Sequence, residues 1–337
     1  MSFGAVPQTV QIPTTQLQGL SQFTALLDRA EPRVRRRFLE LVNAANALDD
    51  LEQVADLLEQ GNIQGALAVT EEIAPGLATA LDTAYTAAGL SAAEVLRSQV
   101  PTLLEFNQLN VRAVQAQQAG RLRLITGLSS QQREATEILL NEALMEGLAP
   151  VAQARALKQS IGLTARQAQA VRNYRRLLQS GSSEALQRTL RDRRFDPSVR
   201  AAIRGDRALT SDQIDRMVDR YAERQLAFRA RTIARTETVR ALNEGDEELW
   251  NQAVEQGVVA AEDVSQVWHT ARDERVRASH RAMNNQRRGL GEPFQSGLGN
   301  ALRFPADPQA PARDTINCRC VVAREIKREA RPARVAA

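Results

Sequence analysis

Three times in the middle of the chain a Ser or Thr is followed three positions later by Gln: Ser129 with Gln132, Thr164 with Gln167, and Thr210 with Gln213. In such a pair the hydroxyl accepts from the amide three residues on, while the Gln side chain returns to the first residue's own amide. Two of the orphan donors at a helix start are satisfied together. Asp196–Pro197 sets up a further start, because proline's missing N–H does no harm in a first turn. Gly147, Gly181 and Gly205 stand where helices should close. The spacing predicts helices over 131–146, 165–179, 197–204 and 211–243, an all-α array.

The rest of the chain divides around that array. Residues 1–20, with Pro7 and Pro13 and little periodicity, read as a flexible arm. From 21 to 60 apolar residues recur at helical spacing, with Leu41, Ala44, Leu48, Leu51, Ala55 and Leu58 forming a seam in steps of three and four. Gly61, Gly65, Pro75, Gly76, Gly89 and Pro101 then punctuate short helices. This gives an N-terminal helical region over 21–104 and a basic helical body over 105–245. Past Gly257 the character changes. "VSQVWHT" has the bias of a strand, "RDERVRASHRAM" reads as a short helix, residues 284–315 are mostly loop, and "CRCVVAREI" is again strand-like. These describe a small α+β domain over 246–326, followed by a basic tail over 327–337. The fold class expected is mainly α, an elongated helical body with a small C-terminal α+β domain. Aromatic content of 4% agrees, since Ala, Leu, Gln and Arg suit helix packing better than β-sandwich cores.

Several classes are excluded. No run of about 18 apolar residues is present, so no membrane helix is expected. The start lacks the charged and apolar regions of a signal peptide. Two cysteines cannot form a secreted disulfide framework, and a reducing cytosol is the simplest compartment.

Charge is unevenly placed. Residues 1–111 carry 13 acidic side chains and 6 arginines, although the whole chain has a net charge of +4. Only Lys158 and Lys327 are lysines. A GC-rich coding sequence accounts for one reading of the arginine bias. The other is a basic half near phosphates, which the guanidinium fork binds bidentately. Residues 187–240 hold 14 arginines against 8 acidic residues. Asp212, Asp215, Asp219 and Glu223 interleave with Arg216, Arg220 and Arg224, so intrahelical ion pairs should mask much of the charge. Arg191, Arg193, Arg194, Arg200, Arg204, Arg229, Arg231 and Arg235 are the candidates for backbone contact with nucleic acid.

Chemistry-bearing residues gather near the C-terminus. On a helix, Asp273, Arg277 and His280 would share one face, and Asp273 would cap it or pair with Arg277. In Cys318–Arg319–Cys320, strand geometry sends both thiols to one side and Arg319 to the other. One reading is a zinc site on Cys318, Cys320 and His280, with Asp273 or His269 as fourth ligand. Against it, an extended C-x-C separates its sulfurs more than one ion tolerates. A second reading is a pair of small buried hydrophobes closing the last strand. A redox or nucleophilic cysteine is the third, and no acidic partner for a Cys–His pair is identifiable. No nucleophile elbow, phosphate-cradling loop or H-E-x-x-H occurs, so no enzyme is expected.

The order "IARTET" (233–238), Trp268, "DERVRASH" (273–280), a loop with Phe294, Gly297 and Pro305, and "NCRC" (317–320) resembles the phage Mu F-like minor head proteins, the phage head morphogenesis family. The resemblance is strong over about 220–322 and looser over 105–200, where "GLTARQAQAVRNYRRLL" lies. It implies a virion structural protein in few copies, at the capsid interior or portal vertex, acting in procapsid assembly, DNA packaging or ejection. The implied partners are the portal protein, other capsid proteins and packaged double-stranded DNA, with a further copy of the chain as another. Trp268, Asp273, Arg277, His280, Asn317, Cys318 and Cys320 match the signature positions, for which the resemblance implies no chemical role. Some relatives carry toxin domains after this module, and too few residues follow Cys320 for such a cargo. The alternatives are a non-specific DNA-binding protein and a zinc-dependent enzyme using His280, Cys318 and Cys320.

Overall fold

The computed structural model describes residues 14–46, 73–145 and 150–327, with isolated positions between 56 and 62. Most of the expected arm, the seam beyond Ala44, Gly147 and the tail from 328 lie outside the described residues. The helices are α1 (Thr14–Asn46), α2 (Ile73–Arg97), α3 (Val111–Met145), α4 (Pro150–Ser160), α5 (Ala165–Gln179), α6 (Asp196–Ile203) and α7 (Ser211–Glu255). They are followed by β1 (Val264–His269), α8 (Ala278–Arg281), β2 (Arg287–Gly289), β3 (Phe294–Gln295), β4 (Ala301–Leu302), α9 (Ala312–Thr315) and β5 (Val321–Ile326). The chain is therefore mainly α with a small C-terminal α+β region, as expected. It forms two compact units, each assembled from separated segments. One contains residues up to Pro32, Leu81–Gln117 and everything from Arg235 onward; the other contains Arg33–Ala80 and Gln118–Ala234.

In the second unit the capping boxes decide where helices begin. Gln167 N donates to Thr164 Oγ1 at 3.3 Å and Thr164 N donates to Gln167 Oε1 at 3.1 Å, so α5 occupies 165–179 as predicted. Thr210 and Gln213 exchange the same two bonds ahead of α7. The Ser129–Gln132 pair does not start a helix, which corrects the expected boundary at 131. Gln132 is buried inside α3, where Nε2 donates to Thr136 Oγ1 at 3.0 Å and Oε1 accepts from Gly162 N at 2.6 Å. A tertiary network has claimed the side chain that a cap would need. The core of this unit takes Ala168, Val171, Tyr174 and Leu178 from α5, at steps of three and four, against Met217, Val218 and Tyr221 of α7 and Leu139 of α3.

In the first unit α2 and α7 pack through Tyr85, Ala88, Ala92, Leu96, Leu242, Leu249 and Trp250, with Phe23 of α1 against them. Helix α1 begins at Thr14, inside the stretch expected to be a flexible arm, and Gln16 is buried with its Nε2 donating to Glu325 Oε1 at 2.6 Å. A boundary expected at 245 falls within α7, which runs on to Glu255. Gly245 does not end the helix; its role is close approach, since a Cβ there would stand 2.1 Å from the Tyr85 carbonyl oxygen. The chain turns at Gly257 (φ +69°) and enters an antiparallel sheet of order β2–β1–β5. Its register pairs Trp268 with Val322 and His269 with Val321. Strands β3 and β4 form a separate short hairpin, with Phe294 opposite Leu302.

Candidate functional site

All six residues of β1 are buried, so the period of two decides only which face each side chain meets. Trp268 goes to one face, where it packs with Met283, Phe294, Leu302, Cys318, Cys320 and Val322. His269 goes to the other. It is therefore not a neighbour of the thiols, and the reading of it as a fourth ligand is corrected by strand parity alone.

Residues 270–277 do not continue as helix. Helix α8 is a single turn over 278–281, and Arg277 precedes it with extended backbone (φ −59°, ψ 146°). The expected Asp273–Arg277–His280 helical face does not form. Asp273 instead binds Arg319, with both guanidinium–carboxylate contacts at 2.6 Å, and also accepts from Arg275 N at 3.1 Å. These bonds, Arg319's first, hold its carboxyl well below the usual carboxylate range. Arg277 donates to the Ile316 carbonyl and lies 3.5 Å from that of Asp314. Arg277 thus holds the loop before the cysteines, while Asp273 holds the residue between them.

That loop is shaped by Asn317, whose left-handed backbone (φ 56°) suits an Asn better than most side chains. Asn317 N donates to Thr236 Oγ1 at 3.0 Å, tying the turn to the "IARTET" segment of α7. Because Arg319 is drawn out to Asp273, Cys318 and Cys320 both turn inward. Each sulfur stands 3.5 Å from His280 Nδ1. All three donor atoms lie within 4.8 Å of one another. The expectation that an extended C-x-C would hold its sulfurs too far apart is overturned, and so is Asp273 as a ligand. The residues lie just ahead of β5 rather than in it, where no ladder bonds keep the backbone flat.

On the far side of the imidazole, His280 Nε2 has no hydrogen-bond partner among the described residues and faces Asp314 Oδ1 at 3.6 Å. Asp314 is fully buried and accepts from Ser279 Oγ (3.1 Å), Ser296 Oγ (3.3 Å) and Asn300 Nδ2 (2.6 Å). Burial would raise its carboxyl, but these donors and the nearby imidazole hold it below the ordinary range. The Cys320 contact, and after it His280, brings the Cys318 thiol well below its ordinary range, while Cys320 is pushed up by Cys318 and by burial. The Trp268 ring meets His280 edge-on at 5.8 Å, and Phe294 at 5.2 Å. Its indole N–H has no hydrogen-bond partner among the described residues.

An acidic partner for the Cys–His pair thus exists, contrary to expectation. The order Cys–His–Asp is one that nucleophilic enzymes also use. Here Cys318, Cys320, His280 and Asp314 are each at most 3% exposed, which leaves the sulfurs without the access a substrate needs.

His269, on the opposite face, has no partner for either ring nitrogen among the described residues. Burial lowers it to about 4, helped by the charges of Arg272 and Arg287 and opposed by Glu325. The folded chain therefore binds fewer protons than the unfolded chain between about pH 4 and 6.5. The stability tied to neutral His269 is complete above pH 6.5 and is lost as pH falls towards 4. Denaturation midpoints measured across this window should decline, and should decline less for His269→Leu; equal slopes would remove the assignment.

The arginine candidates are mostly engaged. Arg191 makes two 2.9 Å bonds to Asp196, Arg194 binds Asp192, Arg204 binds Asp206, and Arg200 lies 3.7 Å from Asp196. Arg235 makes two bonds to Glu31, at 3.0 and 2.9 Å. Arg229 is buried, donating to the Gly162 carbonyl and to Gln131 Oε1, both at 2.8 Å, and burial lowers its guanidinium to about 10. It is a core residue and not a phosphate contact. Arg193 and Arg231 are exposed. The masking of charge on α7 is also less local than expected: Arg220 does pair with Glu223, but Asp215 is taken by Arg155 and Arg175 from α4 and α5. No helix among the described residues is long and apolar enough to cross a membrane.

No curated protein and no solved structure matches the chain. A family model does, over residues 135–323, and that span holds "IARTET", Trp268, His280, Asp314 and both cysteines. Since the match takes in more than half of the chain, the protein belongs to the phage Mu protein F like family, whose members are structural proteins of phage head morphogenesis.

Proposed function

We propose that the protein is a minor head component carried in the virion at or near the portal vertex, where it acts in procapsid assembly, DNA packaging or ejection. The observation that carries this reading is the family match over 135–323. The sealed surroundings of the cysteines support a structural role over a catalytic one, because a residue cluster at most 3% exposed can hold a fold together but cannot receive a substrate. Mass spectrometry of purified particles, before and after DNA release, tests it. The chain should be present in full particles at a small fraction of the major capsid protein, with cross-links to the portal. Its absence from particles would end the proposal, and cross-links confined to the major capsid protein would end the portal part.

Contact with packaged DNA is the second reading, favoured by the exposed Arg193 and Arg231. Of the eight arginines considered, five face a carboxylate and Arg229 is buried. Contact through Arg193 and Arg231 alone would give a log–log salt slope of only about −2, on the expectation of ~0.9 per neutralised phosphate. A slope several times steeper in duplex-binding titrations would show a larger basic surface at work.

A further inference from the structure

Independently of the role in the virion, the geometry points to a resident zinc ion held by Cys318 Sγ, Cys320 Sγ and His280 Nδ1. Thiolate and imidazole are the ligands zinc prefers. The spacing agrees as well. With Zn–S of about 2.3 Å and Zn–N of about 2.05 Å, tetrahedral angles put a sulfur and a nitrogen about 3.6 Å apart. Both sulfurs are 3.5 Å from Nδ1.

The imidazole is turned the right way for this. A histidine that binds metal through one nitrogen usually directs the other at a carboxylate or carbonyl, which fixes its tautomer. Asp314 faces Nε2, so its negative charge favours the proton there and leaves the Nδ1 lone pair towards the sulfurs. Asp314 is itself held by Ser279, Ser296 and Asn300, from α8, the β3–β4 turn and the residue before β4. A pair of cysteines buried only as small hydrophobes gives no reason for a fully buried carboxylate behind the neighbouring histidine, since burying such a charge costs several kcal/mol. The same carboxylate is what an outer shell requires. Arg319 clamped to Asp273 and the left-handed Asn317 then keep both thiols on the metal side. Trp268, Met283, Phe294, Leu302 and Val322 wrap the cluster in apolar surface.

Among the described residues no fourth His, Cys, Asp or Glu joins the group, so the described ligands number three. On loading, two thiol protons leave to solvent as two metal–sulfur bonds form, and the imidazole contributes its neutral lone pair. The binding energy becomes folding energy for the α+β region.

The test uses the full chain, purified reduced and without chelator. It should carry close to one equivalent of zinc. After chelator treatment, cobalt(II) alone should restore binding with the near-ultraviolet thiolate charge-transfer band and the visible bands of tetrahedral coordination. Substituting both thiols (Cys318→Ser with Cys320→Ser) should abolish the band. Asp314→Asn should keep it while weakening the metal about 10- to 100-fold in competition with a chelating dye. The cobalt titration on the unsubstituted chain needs no variant to fold. A folded, reduced chain that gives no thiolate band with excess cobalt overturns the proposal, as does a double variant that still binds one zinc.

Discussion

Asp314→Ala is expected to destabilise the protein by about 3–5 kcal/mol, because it takes the shared acceptor from several buried donors at once. The substitution leaves three donors stranded: the hydroxyls of Ser279 and Ser296 and the Asn300 amide. Each buried donor without a partner costs about 1–3 kcal/mol. Serine hydroxyls can rotate to recover part of this, but the Asn300 amide, 2.6 Å from Oδ2, has less freedom. Asp314→Asn keeps the volume and part of the bonding, so its cost should be well under half. Chemical denaturation of the two variants beside the parent measures the difference. Equal and small losses, below ~1 kcal/mol, would mean that solvent reaches the carboxylate.

Trp268→Ala should cost a similar amount, about 3–5 kcal/mol, for a different reason. The indole is fully buried in the apolar core of the α+β region, against His280 and Phe294. Its removal opens a cavity that β1 cannot collapse into, because β1 is fixed between β2 and β5. Trp268→Phe should recover roughly half of the loss by refilling part of the volume. The affected signal should be local: near-ultraviolet circular dichroism from the α+β region falls before the helical far-ultraviolet signal does. A loss of helicity in step with it would make the first unit one cooperative body.

Local chemistry was legible in the sequence wherever it stayed local. Thr164 with Gln167 marked the first turn of α5 to the residue, and Gly257 marked the passage from helix to sheet. The parity of Cys318–Arg319–Cys320 foretold that the two thiols would face one way. What could not be read was the use of a side chain by a distant partner. Gln132 looked like a cap and is spent on Gly162. Gly245 is reserved for the Tyr85 carbonyl, which nothing in its neighbours announces. Asp273 looked like a neighbour of Arg277 and belongs to Arg319. Asp314 stands four residues before Cys318 with nothing local to tie it to His280.

The first unit draws on three stretches of chain that leave the ribosome at very different times. Tyr85, Ala88, Ala92 and Leu96 of α2 are complete early, yet Leu242, Leu249 and Trp250, which cover them, are translated roughly ten seconds or more later at ~5–20 residues per second. During that interval the nascent polypeptide has only Phe23 of α1 and residues such as Leu104 and Phe106 to lay against α2, and the α7 side of its apolar face stays uncovered. Holding by a host chaperone, or by a waiting assembly partner, would then be part of how the protein is made, and fragments cut before Arg235 should precipitate where the whole chain does not.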